Sequence, residues 1–165
     1  MNKKSYEQIT IFFEKHPAAI AVISIINRLL TGIGFFAYPL LLLFLFWKKD
    51  VYQLISFIII PALCFFCLTF FRKMINFPRP YEKFRISPLI PKETQGKSFP
   101  SRHVFSMFLI AALWYLTWKP FGIFLFLSGA FLAVIRVIGG VHFIRDVIAG
   151  AFLGILCGML TLIFC

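Results

Sequence analysis

Charge is scarce in this chain, and acidic charge scarcest of all: 14% of its 165 residues are charged, and only six are Asp or Glu. A surface that poor in charge excludes an ordinary water-soluble domain of this size. Cysteine is also sparse, and Cys64, Cys67, Cys157 and Cys165 all fall inside apolar segments. No disulfide framework is indicated, and the Cys-Phe-Phe-Cys spacing of Cys64 and Cys67 reads as packing rather than redox chemistry. A cleavable leader is not expected either. The start from Asn2 to His16 is polar, and the apolar stretch after it is too long for a signal-peptide core, so it should persist as an anchor.

What the chain has is lipid-compatible surface. Hydrophobic residues make up 61% of it, with 23 phenylalanines, and mean hydropathy is +0.91. A hydrocarbon core of about 30 Å takes roughly 20 helical residues to cross. On that measure the fold class is all-α, a polytopic transmembrane bundle in one domain spanning 1–165. A short interfacial helix is expected over 5–14. Spans are expected over 29–47, 51–71 with Pro61 as a kink, 104–118 extended to 101–119, 121–138 and about 143–165. The stretch 18–28, ahead of Asn27 and Arg28, is expected to be tilted or half-inserted; a sixth crossing there is the alternative. Gly150, Gly154 and Gly158 repeat every four residues and predict close helix packing. The proline-rich loop 72–102 is expected to be neither a span nor a regular helix. With five crossings, this loop and the turn at 139–146 share one side of the membrane.

Net charge is +11. Because the basic residues lie between apolar runs, anionic head groups or phosphorylated substrates are nearer partners than nucleic acid, which is not expected. Arg28, Lys48, Lys49, Lys119, Arg145 and His16 read most simply as interfacial residues, the long cations snorkelling to the head groups. Three combinations resist that reading. Arg72, Lys73 and Arg79 close the second span, although charge anchoring would look much the same. Pro100, Ser101, Arg102 and His103 open the third, where a helix N-terminus favours an anion and a plain cap explains neither Arg102 nor His103. Arg136, His142 and Asp146 surround the last turn, and a carboxylate four residues after a histidine on one helix can orient the imidazole. Together they offer cations for phosphate oxygens, a nucleophile and a proton donor, which is what phosphoryl transfer requires. Two histidines and one suitable acid are too few hard ligands for a magnesium or two-metal phosphatase; a zinc site of two His and one Asp is formally open.

These residues resemble the type 2 phosphatidic acid phosphatase superfamily, whose three motifs are Lys, six residues, Arg-Pro; Pro-Ser-Gly-His; and Ser-Arg, five residues, His, three residues, Asp. Here Arg79-Pro80 closes the first, Pro100-Ser101-Arg102-His103 is the second, and Arg136, His142 and Asp146 keep the spacing of the third. Arg72, not Lys73, stands at the family's lysine position; Arg102 replaces glycine and Ile135 replaces serine. The resemblance implies a metal-independent phosphatase without cofactors, acting on a phosphorylated lipid and placed in a bacterial cytoplasmic membrane with its site on the extracytoplasmic face. It implies His142 as nucleophile through a phosphohistidine, Asp146 positioning it, and His103 as general acid and then base. Arg72 or Lys73, with Arg79, Ser101, Arg102 and Arg136, would hold the phosphate. Undecaprenyl pyrophosphate, phosphatidylglycerol phosphate, phosphatidic acid and a lipid A phosphate are candidate substrates, with Tyr81, Phe84, Ile86, Leu89 and Ile90 as candidates for selecting among them. The runner-up is a transporter or binding protein that gathers anionic lipid or phosphate without cleaving it; a structural protein whose basic loop only touches head groups is a third reading.

Overall fold

The structure is a computed structural model that describes residues 3–91 and 94–164; Asn2 and Cys165, named above, lie outside it. The described residues form seven α-helices: α1 (Lys3–Glu14), α2 (Pro17–Trp47), α3 (Val51–Ile75), α4 (Pro80–Phe84), α5 (Arg102–Thr117), α6 (Lys119–Ile138) and α7 (Ile144–Leu160), closed by a 3₁₀ turn at Thr161–Phe164. Four stretches are long and apolar enough to cross a membrane: Pro17–Trp47, Val51–Phe84, Lys119–Ile138 and Ile144–Ile163. At 1.5 Å per residue, the 16-residue α5 extends only about 24 Å, and it runs through the middle of the bundle.

Two sequence expectations change here. First, α2 is continuous through Asn27 and Arg28: Pro17 starts it at a first-turn position, where proline costs no hydrogen bond. Its 31 residues extend about 46 Å, longer than a bilayer core of about 30 Å. The excess projects at the N-terminal end, where Ile20, Ile23 and Ile26 pack with Leu89, Ile90, Ile135 and Val141 instead of making a separate crossing. Counting back about 30 Å from Trp47 reaches Asn27, so Asn27 and Arg28 stand at interfacial depth. Second, the long loop is not free of helix. Helix α3 persists to Ile75 and stops at Asn76 in the left-handed conformation, while α4 occupies five residues of the loop.

Contacts between helices fix their directions. The Tyr38 hydroxyl donates to Phe57 O at 2.9 Å and sets α2 antiparallel to α3, and Trp114 Nε1 donates to Ala37 O at 2.9 Å, tying α5 to α2. A Cβ added to Gly150 would lie 2.6 Å from Ser101 O, and one on Gly154 2.5 Å from Phe105 O. The glycine repeat therefore brings the α7 backbone against α5, with the two helices parallel and in register from residues 101 and 150 onward. The core consists of Leu41, Leu45, Phe57, Leu113, Leu125 and Leu132 around α5, while Phe35, Phe46, Trp47, Phe66, Leu127 and Phe152 face outward, as a hydrocarbon solvent allows. Up-down threading through α2, α3, α5, α6 and α7 brings the loop after α3, the turn after α6 and α1 to the same end.

Candidate active site

The last turn carries the most buried ionisable pair. Asp146 occupies the third position of α7, and its Oδ2 accepts the Phe143 N–H at 3.0 Å, which caps the helix start. The same oxygen accepts the Ser98 hydroxyl at 2.5 Å and lies 3.6 Å from His142 Nδ1, an ion-pair distance too long for a formed hydrogen bond. The exposed Arg145 brings Nε to 3.5 Å from Oδ1. His142 is 2% exposed. Burial drives its pKa from 6.5 down to about 4, with Arg79 and Arg136 pushing the same way and Asp146 resisting. The imidazole is thus neutral at neutral pH, the form in which it is a nucleophile. Its carbonyl accepts from the buried Tyr6 hydroxyl at 3.1 Å, so α1 holds this turn from the far end of the sequence.

The cations arrive from three elements. Arg72, in the last turn of α3, is buried, and its guanidinium donates to Ser98 O at 3.3 Å and to Lys97 O. Arg79 is 4% exposed and donates from Nε to Gly96 O at 3.0 Å and from Nη1 to Val141 O at 3.2 Å. The segment 96–98 is thereby clasped by both arginines. Glu82 fixes it further, accepting from Arg79 N at 2.7 Å and Gly96 N at 2.8 Å. Gly96 is required there: its φ is +62°, and an added Cβ would run into Asn76 Oδ1. Arg136, from the last turn of α6, is 3% exposed. At the start of α5, Ser101 is fully buried and its N–H donates to Asp146 O at 2.8 Å, joining the second motif to the third.

His103, half-buried, shares with Arg136 the wall of a cavity of about 400 Å³ to which Asn27 and Arg28 also contribute. A second, largely apolar cavity of about 670 Å³ runs between α2, α3 and α5 past Phe35, Tyr38 and Phe65, and ends on Arg102 and His103. Arg102 is exposed, with its guanidinium 5.5 Å from the Phe65 ring centre. Lys73 is exposed while its neighbour Arg72 turns inward; of the two cations that the sequence leaves as alternatives, only Arg72 enters the cluster.

Five buried side-chain atoms among the described residues lack a hydrogen-bond partner: Asn27 Oδ1, Ser101 Oγ, Arg136 Nε, His142 Nδ1 and Asp146 Oδ1. Unsatisfied buried groups cost about 1–3 kcal/mol each, so these five do not serve stability. Four of the five belong to motif residues. Asn27, Tyr6 and Ser98 were not singled out from sequence as site residues. Only Asn27 carried a signal, as a polar interruption in an apolar run.

The PAP2 superfamily profile matches residues 53–164. No curated protein matches the chain. Among solved structures, LpxE from Aquifex aeolicus is 30% identical with a TM-score of 0.67, the alignment covering 99% of this chain and 95% of that one. A transmembrane PAP2-type phosphatidylglycerolphosphate phosphatase from Bacillus subtilis shares the fold at 21% identity and TM-score 0.57, covering 96% and 91%. With its membrane-length helices and its motif residues gathered at one end of the bundle, the chain belongs to the PAP2 superfamily.

Proposed function

We propose that the chain removes a terminal phosphate from a lipid by metal-independent double displacement through a phosphohistidine at His142. The observation that carries this reading is the meeting of a neutral, buried His142 beside Asp146 with inward-turned Arg72, Arg79 and Arg136 and with unsatisfied Ser101 and Arg136 atoms. With Nδ1 turned to Asp146, the other ring nitrogen, Nε2, attacks phosphorus. The P–N bond forms as the P–O bond to the leaving group breaks, and His103 gives its proton to the leaving oxygen. Water then attacks the phosphohistidine and loses a proton to His103; the P–N bond breaks, releasing inorganic phosphate and restoring both histidines. Arg72, Arg79, Ser101, Arg102 and Arg136 neutralise the oxygens as charge develops. Asp146 holds the imidazole and stabilises its positive charge in the transition state.

A lipid fits the apolar cavity that ends on His103, because acyl or prenyl chains remain among Phe35, Tyr38 and Phe65 while the phosphate reaches the cations. The substrate class is a phosphomonoester or diphosphate of the phosphatidic acid, phosphatidylglycerol phosphate or polyprenyl diphosphate kind. The donor set favours a reaction without metal: no three His, Cys, Asp or Glu side chains gather among the described residues, and the phosphate-facing groups are cations. We place the protein in a bacterial cytoplasmic membrane with the site on the extracytoplasmic face, following the family. The test is phosphate release from these lipids by purified protein in detergent with chelator present. Turnover that survives chelation and disappears in His142→Ala supports the reading; turnover abolished by chelator and restored by zinc overturns the metal-independent mechanism.

A further inference from the structure

Asn27 and Arg28 belong to none of the three motifs, and they precede residue 53, where the family match begins. They nevertheless line the same cavity of about 400 Å³ as His103 and Arg136, together with Thr31 and Phe35. Two of the five unsatisfied buried atoms, Asn27 Oδ1 and Arg136 Nε, come from residues on this wall. The lining holds two guanidinium groups and no carboxylate, so its potential selects an anion. The Asn27 amide can present either its oxygen or its NH₂ end by a half-turn of its terminal torsion. The length of α2 sets both residues at interfacial depth, where a head group lies.

The location identifies which anion. In the mechanism proposed above, His103 protonates the leaving oxygen, so a cavity lined by His103 and not by His142 holds the leaving-group side of the scissile bond. Resting on that reading, we propose that Asn27 and Arg28, beside Arg136, form a subsite for a second phosphate of the substrate, one that is not transferred. Two head groups supply it: the inner phosphate of a lipid diphosphate, and the phosphodiester of phosphatidylglycerol phosphate. Phosphatidic acid has neither. The subsite favours substrates with two phosphates by charge-assisted hydrogen bonds that the single-phosphate lipid cannot make.

The experiment compares kcat/KM for a lipid diphosphate, phosphatidylglycerol phosphate and phosphatidic acid in wild type, Arg28→Gln, Arg28→Lys and Asn27→Ala. Arg28→Gln is expected to lower the ratio of a two-phosphate substrate to phosphatidic acid by about tenfold, the worth of one charged hydrogen bond. Arg28→Lys should retain most of the ratio, Asn27→Ala should lower it, and Lys48→Gln at the opposite end of the bundle should leave it unchanged. A fall confined to the diphosphate arm identifies the inner phosphate as the occupant, and one confined to phosphatidylglycerol phosphate identifies the phosphodiester. An unmoved ratio in both arms, or equal losses on all three lipids, overturns the subsite while leaving the phosphatase reading intact. A wild type that releases phosphate from none of them overturns the phosphatase reading instead. The subsite then stands or falls on whether pyrophosphate raises the unfolding temperature more than phosphate does in wild type but not in Arg28→Gln.

Discussion

Replacing Asp146 by Asn tests how the buried carboxylate contributes to catalysis. The change keeps the side chain's volume and an oxygen able to accept the Phe143 and Ser98 donors, and removes only the charge. That charge lies 3.6 Å from His142 Nδ1. With an effective dielectric constant near 20, a full positive charge on the ring interacts with it by about 5 kcal/mol. If half of that charge has developed at the transition state, the loss is about 2 kcal/mol, or ~50-fold in kcat; with full development it reaches ~2000-fold. Since the ground-state ring is neutral, the loss belongs in kcat rather than KM. The assay is steady-state phosphate release from a dispersed phosphorylated lipid at pH 7, with folding checked by gel filtration in detergent. A kcat within about threefold of wild type would refute the argument, because no partial charge on His142 could then be interacting with the carboxylate.

Burial of a neutral His142 also makes stability depend on pH. Its folded pKa of about 4 lies below the unfolded value of 6.5, so the unfolded chain binds more protons between these limits and stability falls as pH drops from 6.5 toward 4, by about 3 kcal/mol in total. Between pH 7 and pH 5 the Tm of wild type should therefore fall further than that of His142→Gln; parallel curves would contradict it. Arg72→Gln should lower kcat/KM by at least about a hundredfold, while Lys73→Gln stays within about threefold; equal losses would show that both cations serve. Tyr6→Phe leaves the His142 carbonyl buried without its donor, at a cost of about 1–3 kcal/mol. It should lower the unfolding temperature and weaken turnover, and an unchanged melt would mean that α1 does not support the site.

The motif residues were legible because their meaning is local. His142 and Asp146 stand four positions apart and Ser101 two before His103, so nearness in sequence put each group together, although α7 begins only at Ile144 and the turn before it, not a shared helix face, brings His142 to Asp146; the glycine repeat likewise announced close packing of α7. The choice between Arg72 and Lys73 was not legible, since it depends on α3 continuing to Ile75 and on segment 96–98 folding back to offer carbonyls to one side of that helix. The same fold-back makes Ser98 a partner of Asp146 across 48 positions of sequence. Tyr6 was invisible because its partner is a backbone carbonyl at residue 142. Arg28 read as a snorkelling cation and a break in the span; the unbroken length of α2 and the identity of the helices packed beside it show a cavity wall instead.

The most direct test of the account is to trap the intermediate. Protein mixed with a lipid carrying radiolabel in its terminal phosphate, quenched within the first turnovers and mapped by proteolysis, should carry acid-labile, alkali-stable label on His142. The label should accumulate in a His103 variant given a substrate with a good leaving group, and be absent from His142→Ala. Turnover in wild type with no label on His142, or undiminished turnover in His142→Ala, would contradict the double displacement.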